Sequence, residues 1–417
     1  MSRISRRLGS GIHRRSILVG GSALAASFGM PAILRAADEI LVAGILPLTG
    51  PSAQFGQQSW NAMQFAVDLM NEAGGVKSMG GAKLTLAVLD TETKPEVAVT
   101  QTENAIQRGA KVLVGCNQSA ATIVASQVSE RNEVPFLTAY DIDPSITARG
   151  FKYIFRCSPL TGNYASDLLT TAKELIDKVG SSAKRVGLLS ENSVAGQGVN
   201  KALTAVAQKL GLELVDTETY DVGTTQNFAP FITKMKANRV EVMVGHNRVS
   251  DGIQLTRTAK ELAYNPSFMG GVLGAPNTRE YIEALGKDAD NVFGTDSFSP
   301  LLNAPGLPAV VERVKVKMNR VMDVGVATIM ADIAVIWDAL ERAKTSDPRA
   351  LRDAIASTDL NTGDRNFFML RGAKFNDKGD NEKAAGIITQ IQNGLAVPVW
   401  PVEFAKARAV YPKPEWN

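Results

Sequence analysis

From Ile40 onward the chain alternates short apolar runs with longer stretches in which apolar residues recur every three or four positions. Residues 41–46 read as a buried strand, and residues 57–71 as a helix with Ala62, Phe65, Ala66 and Leu69 on one face. The glycines of Asn71-Glu72-Ala73-Gly74-Gly75 permit the left-handed turn that ends a helix. The pattern continues with strand 84–89, helix 96–106, strand 111–114, helix 120–130 and strand 135–138. Such alternation predicts a doubly wound parallel sheet covered by helices.

A second series follows residues 151–156. Helices over 164–178, 198–210, 228–237 and 251–261 alternate with strands over 185–189, 213–220, 240–244 and 267–269. The fold class expected is therefore α/β, with two doubly wound, Rossmann-like lobes whose strand C-termini, the usual ligand crevices, can face each other. From Pro308 the pattern turns helical, over 311–322, 328–343 and 348–355, and closes with strands over 387–391 and 397–402. The late helices are expected to return and cover the first lobe.

The N-terminal segment breaks this pattern. His13-Arg14-Arg15-Ser16-Ile17-Leu18 leads into a short apolar run interrupted by Gly20, Gly21, Gly29 and Pro31, too short and glycine-rich to span a bilayer permanently. Residues 1–37 read as a twin-arginine signal peptide, and the protein as periplasmic. An ordinary Sec signal or an uncleaved anchor are the alternatives. Ala36-Ala37 is the expected end, although Arg35 spoils a clean small-x-small site.

Setting the segment aside changes the charge. Of 45 Lys and Arg against 42 Asp and Glu, six arginines and no acid lie in residues 1–37, which leaves 39 bases against 42 acids. The basic excess that would suggest nucleic acid disappears. The remaining length suggests about two domains. Cys116 and Cys157 are the only cysteines, and with His13 and His246 they are too few for a zinc site. They are left open between one disulfide and two buried thiols.

A resemblance becomes visible in the first loop. Gly44-Ile45-Leu46-Pro47-Leu48-Thr49-Gly50-Pro51-Ser52-Ala53-Gln54-Phe55-Gly56, with Ala66 to Val76, resembles the first strand, ligand loop and helix of the Leu/Ile/Val-binding family of periplasmic binding proteins. Asp90 with Pro95 and Ala98, Val114-Gly115, Val134-Pro135-Phe136, Thr147-Ala148-Arg149-Gly150, Phe155-Arg156 and Phe375 to Asp380 extend the likeness over nearly all of residues 40–390. It implies two type I lobes joined by three crossings, about 38–157 plus 295–382 and 158–294 plus 383–417. It implies hinge closure over a small solute, delivery to an ABC permease in the inner membrane, and no cofactor. A monomer is expected.

Candidate ligand residues follow from strand and helix ends. Gln118, Ser119 and Ala120 lie where a strand gives way to a helix, so free first-turn amides and the Ser119 hydroxyl suit a carboxylate. Ser119 also matches the family's carboxylate-binding serine, and Phe55 its pocket aromatic. The loop Tyr140-Asp141-Ile142 departs from the family, with Tyr140 and Ile142 where a small residue and a threonine usually stand. Val272 stands where amino-acid binders place a glutamate against the ammonium, so Asp141 or Glu191 would have to replace it. His246 and Arg248 occupy the place of an aromatic. The expected ligand is thus an amino acid or related small carboxylate, aromatic or doubly acidic, with Arg248 as counter-charge. Tyr164 is a further candidate for the opposite wall, beside Glu191.

Enzymatic readings fare poorly. Gly196-Gln197-Gly198 lacks the third glycine and the strand placement of a dinucleotide fingerprint. Only one histidine follows the signal, and no Gly-x-Ser-x-Gly elbow or Walker loop is present. A sensor that presents its ligand to a membrane receptor would bind by the same physics and is the second alternative.

Overall fold

The computed structural model describes residues 39–138, 140–362 and 370–416; the export segment read over residues 1–37 lies outside them. β1 (Ile40–Leu46), α1 (Ala53–Glu72), β2 (Leu84–Asp90), α2 (Pro95–Gln107), β3 (Val112–Gly115), α3 (Ser119–Arg131), β4 (Phe136–Thr138) and β5 (Ile154–Arg156) build the first lobe's sheet and three of its helices. Its five strands are all parallel, in the order β2-β1-β3-β4-β5. Strands covered on both faces read as unbroken apolar runs, as β1 does, rather than as alternating ones.

The chain then crosses to a second sheet. Its elements are α4 (Thr161–Lys178), β6 (Arg185–Glu191), α5 (Val194–Lys209), β7 (Glu213–Tyr220), α6 (Ala229–Ala237), β8 (Val242–Gly245), α7 (Val249–Glu261), β9 (Phe268–Gly271), α8 (Arg279–Leu285) and β10 (Phe293–Asp296). Neither α8 nor β10 was expected from the pattern. α9 (Leu307–Met318), α10 (Val324–Ala343) and α11 (Pro348–Ala356) follow, then the two-residue strands β11 (Asp359–Leu360) and β12 (Ala373–Lys374), which pair with each other. β13 (Ile387–Gln392) and β14 (Leu395–Trp400) return to the second sheet, ordered β14-β13-β10-β9-β8-β6-β7, with β13 and β14 antiparallel to their neighbours.

α10 shows why the late helices belong to the first lobe. It is apolar on nearly every side, from Val326 and Ile329 to Ile336 and Leu340, which is the signature of a helix buried all round. It shares one core with α1, β1 and β3, while Ala43, Ile45, Leu113 and Phe136 point the other way, into the cluster under α2 and α3. Cys157 lies in the first of these clusters and Cys116 in the second, both as free, buried thiols. Facing opposite sides of the sheet, they are not bridged, which resolves the open alternative in favour of two thiols.

Because α9 to α11 pack on the first sheet and β13 and β14 on the second, the chain passes between lobes three times. Arg156, at the first passage, is fully buried and pairs with Asp380, before the third, at 3.1 Å. Its backbone N–H donates to Gly379 O at 2.8 Å, and the Asn381 N–H donates to Arg156 O at 3.0 Å. Gly379 has φ +84°, and a Cβ there would stand 2.1 Å from Ile154 O, so only glycine lets the strands approach this closely.

Candidate functional site

The C-terminal ends of β1, β3 and β4 face those of β6, β8 and β9 across one cavity of about 120 Å³. Ser52, Phe55, Asn117 to Ala120 and Tyr140 to Ile142 line it from the first lobe. From the second come Glu191, Ser193 to Ala195, His246 to Arg248, Leu273 and Gly274. Carboxyl ends of parallel strands are where α/β sheets present their loops and their helix N-termini together, so this placement follows from the topology.

The start of α3 brings a set of donors to the cavity. Gln118 precedes the helix in extended conformation and Ser119 is its first residue, so the N-cap is Gln118 and not Ser119. No side chain caps this first turn. Its free amides and the Ser119 hydroxyl can therefore donate to an anion. Gln118 Oε1 and Asn247 Oδ1, one from each lobe, are buried beside the cavity without a hydrogen-bond partner. An unsatisfied buried acceptor costs about 1–3 kcal/mol, which a ligand donor would relieve.

The charged groups are largely committed to each other. Arg248 Nε donates to Glu191 Oε2 at 2.8 Å, with Glu191 only 3 % exposed. Burial works against the Glu191 charge, but His246 and Arg248 outweigh it and hold its carboxyl below the usual range. His246 Nδ1 lies 2.7 Å from Val272 O. A carbonyl can only accept, so Nδ1 carries the proton there and Nε2 is left for other partners. Asp141 Oδ2 accepts from the hydroxyls of Thr122 at 2.6 Å and Thr138 at 2.8 Å, and burial pushes its carboxyl up. Phe55 lies against Tyr140, ring centroids 5.7 Å apart, and packs on the apolar cluster of the second lobe. Ile142 is 3 % exposed and also belongs to a second-lobe cluster, so both residues line the cavity and join the lobes.

Two expected residues lie elsewhere. Tyr164 is 1 % exposed within the core of the second lobe, packed near Gly386 at the hinge rather than lining the cavity. Val272 is fully buried in the same core. The next residue, Leu273, stands beyond the end of β9 with φ +56°; it belongs to the same core cluster and also lines the cavity. Ser52, Asn117 and Ser193 to Ala195 at the start of α5 were also missed. Asn117 is next to Gln118 and Ser52 is three residues from Phe55, and their place at strand and helix ends was the available signal.

Two α/β lobes joined by three crossings, with a cavity between their strand ends, define a type I solute-binding protein. The chain belongs to the periplasmic binding protein family, whose model matches residues 39–394. It is similar to Leu/Ile/Val-binding protein homolog 7 of Brucella abortus, 27 % identical over 375 residues covering 88 % of this chain and 92 % of the relative. Leu/Ile/Val-binding protein homolog 8 of Brucella suis is 26 % identical over 96 % of this chain and its own full length. Among solved structures, the leucine-binding protein LivK of Thermotoga maritima superposes with a TM-score of 0.74 at 21 % identity, covering 86 % of this chain and 97 % of that one. LivJ of Streptococcus pneumoniae, solved with isoleucine, gives 0.73 at 20 % identity over 87 % and 100 %. The protein is thus a periplasmic solute-binding protein and not an enzyme.

Proposed function

We propose that the protein captures an amino acid or related small carboxylate between its lobes and delivers it to an ABC permease in the inner membrane. The observation that carries this reading is the uncapped start of α3, with Ser119, opening on the inter-lobe cavity. A carboxylate seated there accepts from the hydroxyl and the free amides, and the helix dipole adds about 0.3–1 kcal/mol, more where the site is partly buried. Phe55, Tyr140 and Leu273 offer apolar surface to the carbon skeleton. Glu191 and Asp141 already hold partners, so an ammonium would be read by the amide oxygens of Gln118 and Asn247. The relatives named for leucine, isoleucine and valine make those the first solutes to try. Export by the twin-arginine route, supported by Arg14-Arg15, would carry the lobes across already folded, and the protein would act as a monomer.

Calorimetric titration of the mature protein with the three branched amino acids and with benzoate tests the reading. At least one should bind saturably, raise the melting temperature, and bind about tenfold more weakly after Ser119→Ala, the lower end of what a hydrogen bond to a charged group contributes. No heat and no thermal shift with any of them would refute it.

A further inference from the structure

Arg248, on the cavity wall, commits donors to protein groups of both lobes. Its Nε binds Glu191 within the second lobe at 2.8 Å, and its Nη1 crosses the cleft to Ser52 Oγ of the first lobe at 3.2 Å. Ser52 is 5 % exposed and also accepts from Gln118 Nε2 at 3.2 Å. A polar chain of protein groups, Glu191 to Arg248 to Ser52 to Gln118, thus spans both lobes. Beside it Phe55 of the first lobe packs on the apolar cluster of the second. We infer that Arg248 is a positioning residue that bridges the closed lobes, and that its neutralisation by Glu191 restricts the solute to one carboxylate.

The chemistry of the guanidinium supports both halves. Its planar fork can hold a carboxylate on one edge and a hydroxyl on another, which an ammonium, a single point charge, cannot do in fixed geometry. A second ligand carboxylate brought to this wall meets Glu191 as well as Arg248, so the attraction is cancelled by like-charge repulsion. The bridge joins protein groups alone, so on this reading part of the closure energy is present before binding. That raises apparent affinity by enlarging the binding-competent population. The charge restriction rests on the carboxylate seat at α3 proposed above; the bridge does not.

The test uses solute-free mature protein carrying spin labels on Gln64→Cys of α1 and Gln208→Cys of α5, both exposed. Cys116 and Cys157 are buried and leave the labels unambiguous. Ser52→Ala removes the acceptor, and Arg248→Lys keeps a charge for Glu191 while losing the fork. Each should raise the open-to-closed ratio about tenfold, equivalent to about 1.4 kcal/mol, seen as a longer inter-label distance. Distance distributions unchanged in both variants would overturn the bridge. Alongside, 4-methylpentanoate should bind at least tenfold more tightly than glutarate. Tighter glutarate binding that Arg248→Lys abolishes would overturn the charge restriction. Binding of neither acid would overturn it together with the carboxylate seat, while the label distances still decide the bridge.

Discussion

Replacing Arg156 with methionine keeps much of the aliphatic length of the side chain and deletes its charge and donors. In the native structure the guanidinium is fully buried, and it donates to Asp380 Oδ1 at 3.1 Å, Asp143 O at 2.7 Å and Thr147 Oγ1 at 2.5 Å. A longer bond of 3.3 Å reaches Asp141 O, so the same side chain fastens the loop that carries Tyr140 to Ile142 into the cavity. Removing one partner of a buried ion pair costs about 3–5 kcal/mol, chiefly because the other charge is left uncompensated. At about 2.1 cal/mol/K per residue, the unfolding entropy of a chain this long is on the order of 0.8 kcal/mol/K. A loss of about 4 kcal/mol therefore lowers the melting temperature by about 5 °C. Calorimetry at pH 7 reads this directly, and Asp380→Asn should move the melt in the same direction. Breaking the exposed pair Lys173 and Asp177 with Lys173→Met is the control, expected to cost under about 0.5 kcal/mol. A methionine variant that melts within about 1 °C of the wild type would refute the assignment of Arg156 as the hinge's ionic anchor.

Burial pushes the Asp296 carboxyl up to about 8, with the Phe298 and Ser297 amides offsetting part of the effect. The folded chain therefore holds this proton more tightly than the unfolded one, and stability falls as pH rises from about 4 through 8. Asp296→Asn, able to keep both amide bonds, should narrow the difference in melting temperature between pH 5.5 and 8.5; parallel decline of both proteins would count against burial as the cause. At Gly245 a Cβ would stand 1.9 Å from Leu189 O, so Gly245→Ala must push β8 from β6. The expected loss is about 1–3 kcal/mol in a urea melt, and an unchanged midpoint would contradict the packing. Burial raises both cysteine thiols above their ordinary range. Neither should react with a thiol reagent until urea unfolds the chain, when two equivalents should appear; rapid reaction of the native protein would be inconsistent with this.

The fold was legible where burial is two-sided and elements are long. β1, with its run of apolar residues, and α1, with its apolar face ending at Gly74-Gly75, announce themselves by composition and period. α8 has seven residues, about two turns, and β10 reads Phe-Gly-Thr-Asp with a single large apolar side chain, so neither carries a period to detect. The site was legible at the level of loops, because strand ends and helix starts are marked by residues such as Ser119 and Gly245. Side-chain direction was not. Val272 and Leu273 are neighbours in one core cluster, yet only Leu273 also lines the cavity, a difference that neither composition nor period marks.

Charge pairing was hidden for a related reason. Glu191 and Arg248 stand 57 positions apart, and each alone looked like a group held ready for a ligand. Brought together by the parallel β6 and β8, they spend their charges on one another, and Asp141 is similarly taken up by Thr122 and Thr138. What remains unspent around the cavity is mostly main chain and amide: the first turn of α3, Gln118 and Asn247. Backbone donors at a helix start do not depend on which side chains surround them. A carboxylate seat can therefore persist while residues such as Ile142 and Tyr140 depart from the family's usual side chains. Those departures bear on the rest of the solute, through shape and through what can meet an ammonium, rather than on whether a carboxylate can be held.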